Sequence, residues 1–228
     1  MKALLYKEFK LAMHPMCYIF IAAFPLMILI PNYPLFVGFI YILSCYPVLF
    51  LGANKGQQSN DLLFSTLLPV RKKDIVMARI ITVAIMQFTY MAILSCLLPV
   101  ALLIQQSIIA QGEESITVGI PLQGFGSLLA IAVVGYAIAD LIFFPIYYKH
   151  GKSIVMSTLF TILGFVIYLS VFTLGIVFVP VVGPAYLDFL TSKIWVQFAL
   201  LGGALILYFI IHYFVYKISA KRLEKVDF

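Results

Sequence analysis

Six long apolar runs, with nearly all positive charge confined to the segments on one side of them, constrain this chain more than any other feature. The runs lie at 16–31, 35–51, 79–104, 123–147, 154–179 and 194–216. A span needs about twenty apolar residues to cross a hydrocarbon core of about 30 Å. An even number of crossings puts both termini on one side. That side then holds Lys2, Lys7, Lys10, Lys55, Arg71, Lys72, Lys73, Arg79, Lys149, Lys152, Lys217, Lys221, Arg222 and Lys225. Of the 15 Lys and Arg residues only Lys193 falls opposite. A bilayer imposes this asymmetry by retaining basic loops on the cytoplasmic face, whereas a soluble protein has no reason to show it. The expected topology is multi-pass, with N- and C-termini cytoplasmic.

Composition excludes the soluble alternative independently. The chain is 64% hydrophobic and 11% charged, against about a quarter charged in soluble domains. A water-facing exterior cannot hide that much apolar surface. The net charge of +6 sits at the inner ends of spans. It therefore points to anionic membrane lipid as its partner and not to nucleic acid. Backbone groups in lipid must be satisfied within their own segment, so the expected fold is an all-α polytopic membrane protein with six transmembrane helices. Cys17, Cys45 and Cys96 all fall in apolar runs and read as small hydrophobes, not a disulfide framework. The N-terminal run has no A-x-A-like cleavage site and is expected to be retained.

The whole chain, 1–228, reads as a single transmembrane domain with four non-spanning pieces. Residues 1–15 place Leu4, Leu5, Phe9 and Ala12 among lysines, as in an amphipathic helix lying along the interface. Residues 52–78 form the longest inner loop, and residues 105–122 an outer loop with Glu113 and Glu114. Residues 180–193, with Pro180, Gly183 and Pro184, form an outer segment for which a re-entrant turn and a packed loop both stand.

No loop is long enough for a soluble catalytic domain. Gly151-Lys152-Ser153 imitates the end of a phosphate-binding loop, but Ile146 stands where that motif needs glycine and no strand precedes it. His14, His150 and His212 lack metal-ligand spacing and fall near the inner boundary, where an interfacial role is expected. No catalytic residue, metal ligand or cofactor site is expected in this chain.

Two polar features remain. In the inner loop, Ser59 or Asn60 caps a short helix, and Asp61 in its first turn favours the positive dipole end. Leu63, Phe64 and Leu67 then share an apolar face, and Pro69 ends the helix. Such a helix, held between two spans, suits docking to a soluble partner; packing against its own bundle is the competing reading. The second feature is Asp140, a carboxylate inside the fourth run, with Tyr136 one turn earlier on the same face and a Gly135/Ala139 small pair beside it. A charge there costs about 2.5–3.5 kcal/mol on insertion scales, so by default it signals function. Substrate contact, a proton relay and a structural hydrogen bond between helices are its three readings.

The stretch from Asn60 to Arg79, the opening Leu5-Tyr6-Lys7-Glu8-Phe9-Lys10, and Phe144-Pro145-Ile146-Tyr147-Tyr148-Lys149-His150-Gly151-Lys152 resemble ABC-2-type permeases, the membrane subunits of bacterial ATP-binding-cassette exporters. The resemblance implies a type V exporter-like half in a bacterial plasma membrane, with an N-terminal interfacial helix and a cytoplasmic coupling helix. It implies that ATP and Mg²⁺ are bound by a separate ABC ATPase subunit, and that a second permease subunit, identical or paralogous, completes the path. Asn60, Asp61, Leu63, Phe64, Leu67, Leu68, Pro69, Arg71 and Lys72 would carry ATPase coupling, and Asp140 with Tyr136 would line the path or form a buried polar site. Small relatives export antimicrobial peptides, lantibiotics and phenol-soluble modulins, so an amphipathic peptide is the expected cargo. A proton-coupled secondary transporter using Asp140 is the alternative, although no inverted repeat is evident between the two halves.

Overall fold

A computed structural model describes residues 2–13, 15–29, 70–110, 124–150, 154–177 and 193–225. Within them the backbone is helical and no strand occurs. Helix α1 (Lys2–Lys7) runs into a short π-helical stretch (Glu8–Ala12), and α2 (Pro15–Ala23) into a 3₁₀ turn (Phe24–Leu29). Four long helices follow: α3 (Lys72–Ala110), α4 (Phe125–His150), α5 (Ile154–Val177) and α6 (Ile194–Glu224). The second apolar run, 35–51, and the segment 180–192 lie outside the described residues.

By length and composition, α3, α4 and α6 are each able to cross a membrane. The α1–α2 pair makes a fourth crossing if it counts as one span broken by an 81° bend. Helix α5 contributes a shorter apolar segment over Val155–Val171. The bend fits an interfacial helix turning into a span, and Pro15 at the first position of α2 suits the turn because a proline N–H is not needed there. The helices overrun the predicted spans. Helix α3 already begins at Lys72, inside the loop assigned to 52–78. It also continues to Ala110, inside the outer loop assigned to 105–122. Helix α6 extends to Glu224, beyond the predicted end at 216. Hydropathy locates where apolar residues stop, whereas a helix continues through the headgroup layer wherever its backbone bonds are met within the segment.

Helix α4 is the centre of the structure. In its most apolar window 72% of residues are buried, against 17% for α6. Ala130, Ala132, Ala137 and Ala139 are all buried on α4, and small side chains let neighbouring backbones approach closely. At its outer end a Cβ placed on Gly126 would lie 2.8 Å from Gln197 Cβ of α6, so the two helices meet there with no room for a side chain. Large apolar residues of α5 and α6, such as Phe160, Ile167, Phe209 and Ile210, face outward, as lipid-facing positions should. The hydroxyls of Thr82, Thr89, Ser95 and Thr161 donate to carbonyls one turn back on their own helices. They are thus satisfied locally and make no demand on neighbouring helices.

Candidate functional site

Asp140 is fully buried near the middle of α4. Its carboxylate is reached from two other helices. Gln87 of α3 donates from Nε2 to Asp140 Oδ2 at 3.0 Å. His212 of α6 meets the same oxygen through Nε2 at 2.9 Å. Tyr208, one turn before His212, donates to Gln87 Oε1 at 2.5 Å, and its ring stacks on the imidazole with centroids 3.8 Å apart. Gln87, Tyr208 and Tyr136 are each about 1% exposed. Three helices thus converge on one carboxylate in an apolar surrounding, where a polar group without a partner is costly.

The protonation pattern follows from the acceptors. His212 Nδ1 lies 2.9 Å from the Tyr208 carbonyl, which can only accept, so Nδ1 carries hydrogen. One further proton then lies between His212 Nε2 and Asp140 Oδ2. Imidazolium with carboxylate, or imidazole with carboxylic acid, contains the same number of protons and is neutral overall. A neutral pair avoids the penalty of an isolated buried charge. Asp140 Oδ1 is buried and has no hydrogen-bond partner among the described residues.

A second polar cluster lies where the N-terminal segment meets the start of α3 and the end of α4. Arg79 of α3 reaches Glu8 in the π-helical stretch with Nε at 2.8 Å from Oε2 and Nη2 at 3.2 Å from Oε1, a two-pronged contact. Its Nη1 donates to the Tyr147 hydroxyl of α4 at 2.9 Å. Lys7 Nζ stands 3.5 Å from Glu8 Oε1. Glu8 is 4% and Arg79 3% exposed. The N-terminal segment is therefore locked to the bundle by a buried ion pair in addition to any apolar contact with the interface. At the same end, Arg222 of α6 donates from Nη1 to the carbonyl of Pro145.

Of the residues singled out in the sequence, Asp140 and Tyr136 are both buried on α4, in the region where α3, α4 and α6 meet. Asn60, Asp61, Leu63, Phe64, Leu67, Leu68 and Pro69 lie outside the described residues. Arg71 is exposed just before α3, and Lys72 is its half-buried first residue. His212, expected at the interface, is instead the partner of Asp140. Arg79, counted with the inner-side cations, is buried against Glu8. The signal for His212 was its place inside the last apolar run. Gln87 was marked by being a carboxamide well inside the third. Among the described residues no group of three or more His, Cys, Asp or Glu is placed to hold a metal ion.

Long apolar helices around a sealed, charge-neutral polar centre define a multi-pass helical membrane protein. The family model described as ABC-2 family transporter protein matches residues 3–222. The chain therefore belongs to the ABC-2 transporter family and is a permease domain, a membrane transport component. Comparison with curated proteins and with solved structures finds no match.

Proposed function

We propose that this chain is the permease subunit of an ATP-driven exporter in a bacterial plasma membrane. It would have six spans, cytoplasmic termini and an amphipathic peptide or similarly hydrophobic cargo. ATP and Mg²⁺ belong to a separate ABC ATPase subunit, and this chain binds no cofactor. A second permease subunit completes the path. The family match over nearly the full chain carries the reading. The continuity of α3 supports it, because the helix leaves the inner loop at Lys72 and runs unbroken to Ala110. A displacement of that loop would pass straight into a span. In this reading Asn60, Asp61, Leu63, Phe64, Leu67, Leu68 and Pro69 meet the ATPase, with Arg71 and Lys72 at the rim.

Replacing Phe64→Asp together with Leu67→Asp tests the docking claim. The doubly substituted chain is expected to insert normally and to lose the ATPase on affinity purification. Unchanged association would overturn the assignment. The proton-coupled alternative draws on one observation, the buried 2.9 Å contact between His212 Nε2 and Asp140 Oδ2. It requires transport driven by a pH gradient with no ATPase present.

A further inference from the structure

Polar ties sort the described helices into two units. Helices α4 and α6 are joined at three levels: Gly126 N donates to Gln197 Oε1 at 3.2 Å at the outer end, His212 meets Asp140 in the middle, and Arg222 holds the Pro145 carbonyl at the inner end. Helix α5 joins them through the Tyr168 hydroxyl, 3.0 Å from the Ile131 carbonyl of α4. On the other side, Glu8 binds α1 to α3 through Arg79. Cys17, Ile21 and Ile28 of α2 and the turn after it pack with α3 in an apolar core that α4, α5 and α6 also join. Gln87 bridges the two units in the middle of the bundle, and at the inner end Arg79 reaches Tyr147 and Lys73 pairs with Glu224 at the surface.

The arrangement around Gln87 is asymmetric. Two partners of Gln87, Asp140 and Tyr208, belong to the α4–α6 unit, and both keep another contact if it leaves. Asp140 retains His212, so no isolated charge is created. Tyr208 retains its stack on the imidazole. Asp140 Oδ1, already buried without a donor, can take a water that enters as the helices part. In the middle of the bundle, withdrawal of α3 costs the two hydrogen bonds of Gln87 to Asp140 and Tyr208, which water can replace. At the inner end it parts Arg79 from Tyr147 and the exposed Lys73 from Glu224. Separation of α4 from α6 would instead break the charge-compensated pair.

We infer that Gln87 is a releasable latch between the α1–α3 unit and the α4–α6 unit, and that the Asp140–His212 pair stays whole when the latch opens. In the permease reading, on which this use of the motion rests, the opening is the change of access driven from the inner loop. A mere staple would affect stability alone. A latch sets the spacing between the units while leaving the α4–α6 contact unchanged.

Cysteine cross-linking in the purified full chain separates these cases, after replacement of Cys17, Cys45 and Cys96 by alanine. A cross-unit pair is Phe88→Cys with Phe209→Cys, whose rings stack with centroids 6.4 Å apart, joined by a short bis-maleimide. A control pair within the second unit is Gly126→Cys with Gln197→Cys, which a disulfide would spread by about 1 Å. Loss of two buried hydrogen bonds in Gln87→Leu is expected to slow the cross-unit reaction about tenfold. Tyr208→Phe, which removes one bond and keeps the ring stack, is expected to give an intermediate value. The control rate stays that of the parent. Equal cross-unit rates in all three chains, or an equal fall in the control pair, would overturn the latch. If Gln87→Leu does not fold, Tyr208→Phe against the parent decides. Adding the ATPase subunit with ATP to the parent probes the permease reading separately: a cross-unit rate that responds to Gln87→Leu but not to ATP keeps the latch and removes its proposed driver.

Discussion

Glu8→Gln upsets an unequal electrostatic balance, one buried carboxylate against two buried cations. Glu8 is the carboxylate between two cations: Arg79, in two-pronged contact at 2.8 and 3.2 Å, and Lys7 at 3.5 Å. All three side chains are more than nine-tenths buried. The substitution preserves shape and leaves one carbonyl acceptor, but removes the negative charge that lies between the two buried cations. Removing one partner of a buried pair costs about 3–5 kcal/mol. For a chain of this size each kcal/mol moves the midpoint by about 2–4 °C, so a fall on the order of 10 °C is expected. Arg79→Gln removes the other partner, yet Lys7 remains to compensate Glu8, and its fall should be about half as large. The assay is a thermal melt of the full chain in mild detergent with Cys45 and Cys96 replaced by alanine, read by thiol-dye reaction at Cys17, which is fully buried in the folded protein. A Glu8→Gln midpoint within about 1 °C of the parent, or an Arg79→Gln loss equal to or greater than it, would refute the reasoning.

Asp140→Leu removes the acceptor that Gln87 Nε2 and His212 Nε2 share and should cost about 2–4 kcal/mol. Adding Gln87→Leu and His212→Phe should recover part of that loss, through couplings of about 0.5–3 kcal/mol; strictly additive losses in the same melt would contradict the network. Gly126→Ala places a Cβ 2.8 Å from Gln197 Cβ and should cost about 1–3 kcal/mol by overpacking. Gly203→Ala, whose Cβ would meet nothing within 4 Å, should instead be neutral or stabilise by up to about 1 kcal/mol through helix propensity. Shifts of the same sign and size at both glycines would refute the close approach of α4 and α6.

Much of the helical architecture was legible from one-dimensional signals. Apolar runs of span length located α2 through α6, because lipid demands a continuous apolar surface over a fixed distance. Asp140 stood out for the complementary reason, as a charge where charge is expensive. Its partners did not. Gln87 and His212 lie 53 and 72 residues away in the chain, and neither amide nor imidazole carries a spacing rule that would pair it with a distant carboxylate. Proximity to the inner boundary suggested an interfacial His212, but an imidazole on the inward face of α6 can serve the core at the same depth. Arg79 was misleading for a related reason. The charge bias that orients the chain counts a cation the same way whether it meets headgroups or a buried Glu8. Helix ends were missed by up to a turn or two because α3 and α6 carry charged residues through the headgroup layer, as the ion pair of Lys73 with Glu224 at 3.3 Å illustrates.

The central claim, a permease driven by a separate ATPase, is tested most directly by purifying the tagged chain in mild detergent after expression with its genomic neighbours. Stoichiometric co-elution of an ATPase bearing a phosphate-binding loop is expected, with hydrolysis that amphipathic peptides stimulate. A solitary permease that instead moves solute along a pH gradient, and stops doing so in Asp140→Asn, would contradict it.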